Sequence, residues 1–232
     1  MSLDPRIDDL ARLLDARLPT RALVGISGAV CVGKSTIAAA LAGRLTALGR
    51  EVDILCTDAF LYPNADLDER GLTFRKGFPE TFNVVRLEQS LIGARRGAID
   101  VPVYSHATYD VVPDASVQIA ADTVIVEGVN VLQDPARRHL DVAIYVDADD
   151  AAVKEWFTRR FLALRDGGRS DPGSFYASMA DLDDDAIAGL ASGVWESVNA
   201  PNLEQHIRPS RDTADVIVEK GPAHQVTAII EQ

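Results

Sequence analysis

The chain has 232 residues, of which 47% are hydrophobic and 25% charged, and its formal charge is −12. These values are typical of a globular protein with a core of its own, and the acidic balance argues against nucleic acid as a partner. No apolar run reaches the ~18 residues of a membrane span, so we expect no membrane partner. Two cysteines are too few for a disulfide framework, and we expect a cytoplasmic protein.

The N-terminal quarter of the chain predicts a helix followed by a strand–helix–strand unit. Residues 6–18 have the pattern of a short amphipathic helix. The apolar run ALVGIS (22–27) predicts a buried strand, and EVDILCT (51–57) predicts a second one. The helix between these two strands is predicted over 34–48, where Gly49 ends it.

The middle of the chain combines a long loop, a helix and three strand-like stretches. Residues 61–82 contain RKGFPET and predict a long functional loop or lid. Asn83 is a suitable cap for a helix that runs to about Ala94. Strand-like sequences follow at VPVYSH (101–106), at PDASVQIA and, most clearly, at DTVIVEG (122–128).

The C-terminal part continues to alternate strands and helices. DVAIYVDA (141–148) predicts a strand, and residues 149–165 predict a helix. The glycine-rich DGGRSDPGS (166–174) predicts a hinge-like loop. A last helix is expected over 183–198, and the chain closes with two predicted strands, ADVIVEKG and HQVTAIIE.

The alternation of strands and helices predicts an α/β fold, in which helices cover both faces of a parallel sheet. No internal repeat or long linker interrupts the pattern. We therefore expect a single domain over 1–232, of which 1–20 form a short N-terminal helical extension.

The stretch GAVCVGKST lies between the first predicted strand and the helix that follows it. A glycine, four residues and then Gly-Lys-Ser is the P-loop pattern, in which backbone N–H groups and the helix N-terminus surround phosphate oxygens. The pattern makes the predicted α/β fold one of the P-loop NTPase type. Lys34 would reach the β- and γ-phosphates of ATP, and Ser35 would bind Mg²⁺. The residues expected around the phosphates are Gly28, Ala29, Val30, Cys31, Val32, Gly33, Lys34, Ser35 and Thr36.

Two carboxylates, Asp58 and Glu127, follow or end predicted strands, where parallel sheets place their active sites. Glu127 ends TVIVE before a glycine and would bind Mg²⁺ directly or through water. Asp58 would accept a proton from an attacking hydroxyl. Two alternatives stay open, since Glu127 could be a solvated carboxylate at a strand end and Asp58 could be a turn cap.

The chain has no Asn-Lys-x-Asp sequence for reading guanine, which argues against a GTPase. A nucleotide-binding regulator without catalysis is a further alternative. The presence of Lys34, Ser35, Asp58 and Glu127 in one chain argues against it.

Besides the P-loop, the chain contains further characteristic sequence blocks, which extend from about Leu23 to about Val226. They include TDAFLYPN, RKGFPETFN, VPVYSHATYDVV, VIVEGVNVLQ and NAPNLEQHIRPSR. In these blocks and their order the chain resembles the type I (bacterial) pantothenate kinases, which lie within the P-loop uridine kinase and phosphoribulokinase group.

The resemblance implies that ATP and Mg²⁺ are used to phosphorylate pantothenate to 4′-phosphopantothenate, in coenzyme A biosynthesis, and it implies a homodimer. It makes Asp58 the catalytic base, and it gives Lys34 and Arg160 the role of neutralising the transferred phosphoryl group. It implies that the hydroxyl-bearing substrate is bound by Tyr104, His106, Tyr109 and Asn202.

The chain departs from the family pattern at two positions near these residues. Ala59 follows the aspartate where the family usually has glycine, and Phe157 follows Trp156 where the family usually has tyrosine. The lost tyrosine hydroxyl removes one hydrogen bond to the substrate. A related kinase that acts on a sugar or a nucleoside therefore remains the alternative.

Overall fold

A computed structural model of the protein describes residues 4–232 as a mixed α/β fold around a central six-stranded sheet. The helices are α1 (Pro5–Arg17), α2 (Lys34–Ala47), α3 (Asn64–Glu69), α4 (Val84–Ala94), α5 (Asp150–Gly168) and α6 (Asp184–Val194). The strands are β1 (Ala22–Gly28), β2 (Val52–Cys56), β3 (Ile99–Ser105), β4 (Asp110–Ile119), β5 (Thr123–Glu127), β6 (Val142–Ala148), β7 (Val216–Lys220) and β8 (Val226–Glu231).

The central sheet has the order β2-β5-β1-β6-β7-β8, and its first five strands are parallel. From β1 the chain crosses through α2 to β2 on one side, whereas β6 is connected through α5 and α6 to β7 on the other. Right-handed crossovers in opposite directions place their helices on opposite faces of the sheet. The order therefore confirms the predicted class and puts a topological switch at the carboxyl end of β1.

The sheet differs from the parallel prediction at its last strand. Strand β8 is antiparallel to β7. Only residues 221–225 separate the two strands, and so short a connection can join antiparallel neighbours but not a parallel pair, which needs a crossover of a dozen or more residues.

Strands β3 and β4 form a separate antiparallel hairpin. The sequence patterns predicted strands in this region but did not predict that they pair with each other. The register between them shifts between Pro102 and Tyr104 because proline cannot donate a ladder hydrogen bond. The turn of the hairpin carries His106 and Tyr109 out of the central sheet.

Two predicted helix ends are wrong, and tertiary contacts explain both. Helix α5 continues to Gly168, because the backbone of Tyr176 packs 2.7 Å from where a Cβ of Gly168 would lie. This contact outweighs the low helix propensity of glycine. Helix α6 passes into a wide segment, residues 195–207, in which two π-helical stretches flank a single α-turn. Pro201 lies in that turn and has no N–H to donate, which favours the local widening.

The predicted loop 61–82 contains the short helix α3, and β4 begins three residues before the predicted stretch PDASVQIA, whereas other boundaries follow the sequence more closely. The Asn83 side chain accepts a hydrogen bond from Arg86 N and caps α4, as predicted. Helix α1 begins one residue before its predicted start, because Asp4 caps it and Pro5 fits its first turn. Buried side chains from α1 to β8 form one hydrophobic cluster, and on this ground we propose a single domain.

Candidate active site

The P-loop leaves the carboxyl end of β1, between β5 and β6, and has the backbone of a phosphate cradle. Gly28 and Gly33 have φ angles of 143° and 96°, which side chains strongly disfavour. A side chain at Gly28 would also collide with the carbonyl of Val146, and one at Gly33 with the amino group of Lys220. The two glycines are therefore required both by the turn and by the close approach of their neighbours.

Lys34 and Ser35 begin α2 and occupy the positions expected of phosphate and metal ligands. The Lys34 amino group donates to the carbonyls of Ala29, at 2.8 Å, and Gly28, at 3.2 Å. Ser35 Oγ donates to Glu127 Oε1 at 2.8 Å. Hydroxyl and carboxylate oxygens are the ligand atoms that Mg²⁺ prefers, so Ser35 and Glu127 are suitable ligands for this ion.

A second lysine, which the sequence analysis missed, is hydrogen-bonded to the backbone of the P-loop. Lys220 ends β7 and donates to the carbonyl of Val32 at 2.9 Å. Its amino group lies 3.2 Å from His224 Nδ1, and the His224 ring stacks on Trp156 at 3.7 Å between centroids. The position of Lys220 at the carboxyl end of a parallel strand was a signal for it, as it was for Asp58 and Glu127.

Asp58 lies beyond β2 in a single 3₁₀ turn, Thr57–Phe60. The buried Thr57 hydroxyl donates to Asn130 Oδ1 at 2.6 Å and holds this turn in place. Burial raises the pKa of Asp58, and the negative charge of Glu127 raises it further. A carboxyl with a raised pKa is better matched to accepting a proton from a hydroxyl.

His106 faces the same carboxylates from the β3–β4 turn. Burial lowers the pKa of His106, against the opposing effect of Asp58, and the positive charge of Arg160 lowers it further. The positive charges of Lys34 and His106 lower the pKa of Asp58. The side chains of Lys34 and His106 therefore lie near the Asp58 carboxylate. The structure thus brings together residues from β2, the hairpin, α2 and α5.

Tyr104 and Tyr109 form an aromatic wall with His106. The Tyr104 ring centroid lies 5.2 Å from that of His106 and 6.5 Å from that of Tyr109, in edge-to-face arrangements. Phe175, from the segment between α5 and α6, packs on Tyr109 at 5.2 Å, and its backbone N–H donates to the carbonyl of Ala107. This segment therefore closes the aromatic side of the site.

Lys76, in the loop RKGFPET, is a second residue that the sequence analysis missed. Its amino group lies 4.3 Å from the Tyr109 ring centroid and donates to Asn64 Oδ1 at 2.6 Å. Burial lowers the pKa of Lys76 to about 8, although the charges of Asp110 and Asp58 oppose the shift. Lys76 is thus a cation on the Asp58 side of the site, and only the loop prediction pointed to it.

Asn202 lies in the wide segment 195–207 and contacts the same loop. Its Nδ2 donates to the carbonyl of Gly77 at 2.8 Å, next to Lys76. All the residues proposed from sequence therefore occupy one region, with the P-loop on one side and the hairpin, Lys76 and Asn202 on the other.

Comparison with known proteins agrees with this arrangement. The model of the phosphoribulokinase / uridine kinase family matches residues 23–163, more than half of the chain. The chain belongs to this family. It is therefore an ATP-dependent phosphotransferase that acts on a hydroxyl group of a small molecule.

Within the family the chain is similar to proteins named pantothenate kinase. It is 45% identical to that of Sorangium cellulosum over 219 residues, which are 89% of this chain and 71% of the relative. It is 42% identical to that of Bradyrhizobium sp. strain BTAi1, over 93% of this chain and 72% of the relative. This similarity confirms the resemblance drawn from the sequence blocks.

Solved structures confirm the fold. A putative fructose transport system kinase from Silicibacter sp. TM1040 is 24% identical, covers 92% of this chain and 95% of its own, and gives a TM-score of 0.69. D-glycerate 3-kinase from Cryptococcus neoformans gives 0.70 at 12% identity, with full coverage of both chains. Among residues 4–232, no helix combines the length and apolar character needed to cross a membrane.

Proposed function

We propose that this protein transfers the γ-phosphoryl group of ATP to the primary hydroxyl of pantothenate. The observation that carries the proposal is the meeting of the P-loop pair Lys34 and Ser35 with Glu127 and Asp58, and of Asp58 with His106 of the β3–β4 turn, in a chain related to pantothenate kinases. Any kinase of this type needs Lys34, Ser35 and a base. The residues of the β3–β4 hairpin are the ones that the resemblance to pantothenate kinases links to substrate binding.

On the nucleotide side, the loop N–H groups and Lys34 would bind the β- and γ-phosphates. The Lys34 amino group now bonds to Ala29 and Gly28, and phosphate oxygens would replace those carbonyls as stronger, charged acceptors. Ser35 and Glu127 would hold Mg²⁺, which neutralises charge on the phosphates.

On the acceptor side, Asp58 would take the proton of the attacking hydroxyl at a carboxylate oxygen. Its raised pKa means that it holds this proton more readily than an exposed aspartate does. Arg160 would stabilise the negative charge that develops on the transferred group, and the influence of Arg160 on His106 supports its position there.

The remaining acceptor residues would orient the substrate. His106, with its lowered pKa, is neutral at pH 7 and can act as a hydrogen-bonding group without adding charge. Tyr104 and Tyr109 form an apolar wall with polar tips, and the Lys76 cation lies above both rings. Pantothenate carries a carboxylate, which a nearby cation favours.

A kinase acting on a sugar or a nucleoside is the second candidate, and Phe157 is the observation that favours it. The Phe157 ring packs against Phe161 at 5.9 Å and Trp195 at 6.0 Å, without a hydroxyl for a substrate.

We also propose that the protein is a cytoplasmic homodimer, on the family resemblance alone.

The test is the identity of the phosphorylated product. Purified protein with MgATP is offered pantothenate, uridine, fructose or glycerate, and ADP release and product mass are measured. The proposal expects release with pantothenate at least tenfold faster than with the others. Rapid turnover of a sugar or nucleoside, with pantothenate inert, would establish the second candidate.

A further inference from the structure

Two buried hydroxyl groups tie the segment that follows β5 to the ends of two neighbouring strands. The Ser27 hydroxyl, just before the P-loop, donates to the carbonyl of Val129 at 3.0 Å. The Thr57 hydroxyl, just before Asp58, donates to Asn130 Oδ1 at 2.6 Å. The segment is therefore hydrogen-bonded on one side to the strand that leads into the P-loop and on the other side to the turn that carries Asp58.

The contact between Thr57 and this segment is close enough to require a glycine. A Cβ atom on Gly128 would overlap the Thr57 hydroxyl oxygen. The φ angle of Gly128 lies outside the left-handed region, so the close approach of Thr57, and not the backbone conformation, requires the glycine here. Gly128 directly follows Glu127, so Thr57 packs against the backbone that carries the proposed Mg²⁺ ligand.

A hydroxyl and an amide are unfavourable side chains to bury unless they bond to each other. Thr57 and Asn130 are both buried, and their hydrogen bond offsets the loss of water. Such a bond also fixes the distance and the angle between its two groups, whereas an apolar contact allows them to slide. The pair therefore fixes the position of the turn Thr57–Phe60 relative to the end of β5.

The residues next to this contact are the two carboxylates of the site. Asp58 follows Thr57, and Glu127 precedes Gly128. The carboxylates are close enough for the charge of Glu127 to raise the pKa of Asp58. Because like charges repel, the separation of these two groups has to be maintained by the structure around them. The contact of Thr57 with Gly128 and Asn130 lies where it can do so.

We propose that Thr57 and Asn130 are positioning residues for phosphoryl transfer, whose hydrogen bond holds the Asp58 carboxylate in register with the end of β5 and with the P-loop. Both residues act through Asp58 and not on the substrate. The inference rests on the proposed role of Asp58 as the base, and it does not depend on which acceptor is phosphorylated. A displacement of about 1 Å in such a site can lower the rate about 10²-fold.

The first test removes the donor of the bond. Thr57→Val is close in shape and should lower kcat by about 10- to 100-fold, while the KM values for MgATP and pantothenate stay within about threefold. Thr57→Ser keeps a hydroxyl and should retain kcat within about threefold. Steady-state kinetics use pantothenate, or, if it is inert, whichever of uridine, fructose and glycerate is turned over.

A double-mutant cycle separates positioning from a general structural role. In an Asp58→Asn background, Thr57→Val should lower the remaining turnover by less than about threefold, because no base is left to position. A residue with a general structural role would lower turnover by the same factor in both backgrounds. Asn130→Ala removes the acceptor of the bond and should give the same pattern, so it carries the test if Thr57→Val does not fold.

Thr123→Val is the matched control. Thr123 is also buried, but it lies at the amino end of β5, where its hydroxyl is 3.4 Å from an Arg50 nitrogen. The active site is at the opposite end of this strand, so the same substitution should leave kcat within about twofold. Melting temperatures compare the loss of stability in the variants.

The possible outcomes separate this inference from the proposed function. Full activity in folded Thr57→Val, or an equal loss in the Asp58→Asn background, would overturn the positioning role and leave the proposed function standing. A loss of kcat that Thr57→Ser fails to restore would overturn it as well. If Asp58→Asn alone retains kcat, the role of Asp58 as the base is wrong, and the positioning role falls with it.

Discussion

The nucleotide side of the site is built from one short stretch of sequence, whereas the acceptor side is assembled from segments far apart in the chain. Gly28 to Ser35 form the P-loop, and Glu127 and Lys220 join it from the ends of β5 and β7. The acceptor side combines the loop at Lys76, the β3–β4 turn, α5 and the segment 195–207. Local backbone geometry thus determines one side, and tertiary packing determines the other.

The two sides also differ in how well their polar groups are satisfied. The lysine and serine of the P-loop are hydrogen-bonded within the protein. On the acceptor side, the buried Oδ1 atom of Asn202 has no partner among residues 4–232. Phosphate binding would therefore replace existing bonds, whereas a group bound next to Asn202 would supply a missing one. We expect affinity on the acceptor side to depend more strongly on the chemistry of the ligand.

The largest effect should come from the nucleotide side. Lys34→Ala should lower kcat by about 10⁴-fold or more, because it removes the charged side chain that the P-loop itself supplies to the β/γ-phosphates. The change should leave the melting temperature within a few degrees, since within the described residues 4–232 the lysine bonds to the carbonyls of Gly28 and Ala29. Steady-state kinetics and circular dichroism check both. Turnover close to that of the wild type, in a folded variant, would remove the P-loop from catalysis.

Asp58→Asn tests the acceptor side with a nearly isosteric change. We expect kcat to fall by roughly 10²–10⁴, the usual range for a positioned proton acceptor, while ATP affinity stays within a few-fold. Glu127→Gln is the comparison across the site and should mainly raise the KM for MgATP, because Glu127 bonds to Ser35. If Asp58→Asn keeps kcat within a few-fold, Asp58 is a structural turn residue and the base lies elsewhere.

The dependence of activity on pH should report Asp58 at the acid end and Lys76 at the alkaline end. Asp58 must lose its proton to act as a base, so activity rises with pH through its raised pKa. Lys76 loses its charge as pH rises through about 8, so kcat/KM for the acceptor falls there. Lys76→Arg keeps the charge and should move the alkaline limb upward by at least about one pH unit.

Lys154→Arg is the control for that profile. Lys154 is paired with Glu196 on the surface, and its replacement should leave both limbs in place. An alkaline limb that stays near pH 8 in Lys76→Arg would assign it to another group and leave Lys76 a structural role in the loop.

The contrast between the two sides also explains what could be predicted from the sequence. The P-loop, the Asn83 cap and Glu127 were predictable because each depends on neighbours in sequence or on a strand end. The β3–β4 pairing, the length of α5 and the position of Lys76 depend on contacts with distant segments, such as Tyr176 packing on Gly168. Family blocks pointed to Tyr104, His106, Tyr109 and Asn202, but their roles in binding remain predictions.

The smallest expected effect concerns Phe157, which tests how closely the acceptor side follows the family. Phe157→Tyr should raise kcat/KM for pantothenate by about two- to tenfold, the value of one additional hydrogen bond of 0.5–1.5 kcal/mol. The ring already packs against Phe161 and Trp195, so the change adds a hydroxyl without new packing. Phe161→Tyr, one helical turn away, is the matched control and should give no gain, because the hydroxyl that the resemblance implies belongs at position 157. A loss of pantothenate activity in Phe157→Tyr would show that the apolar ring is adapted to this chain's own substrate, which would favour an acceptor other than pantothenate.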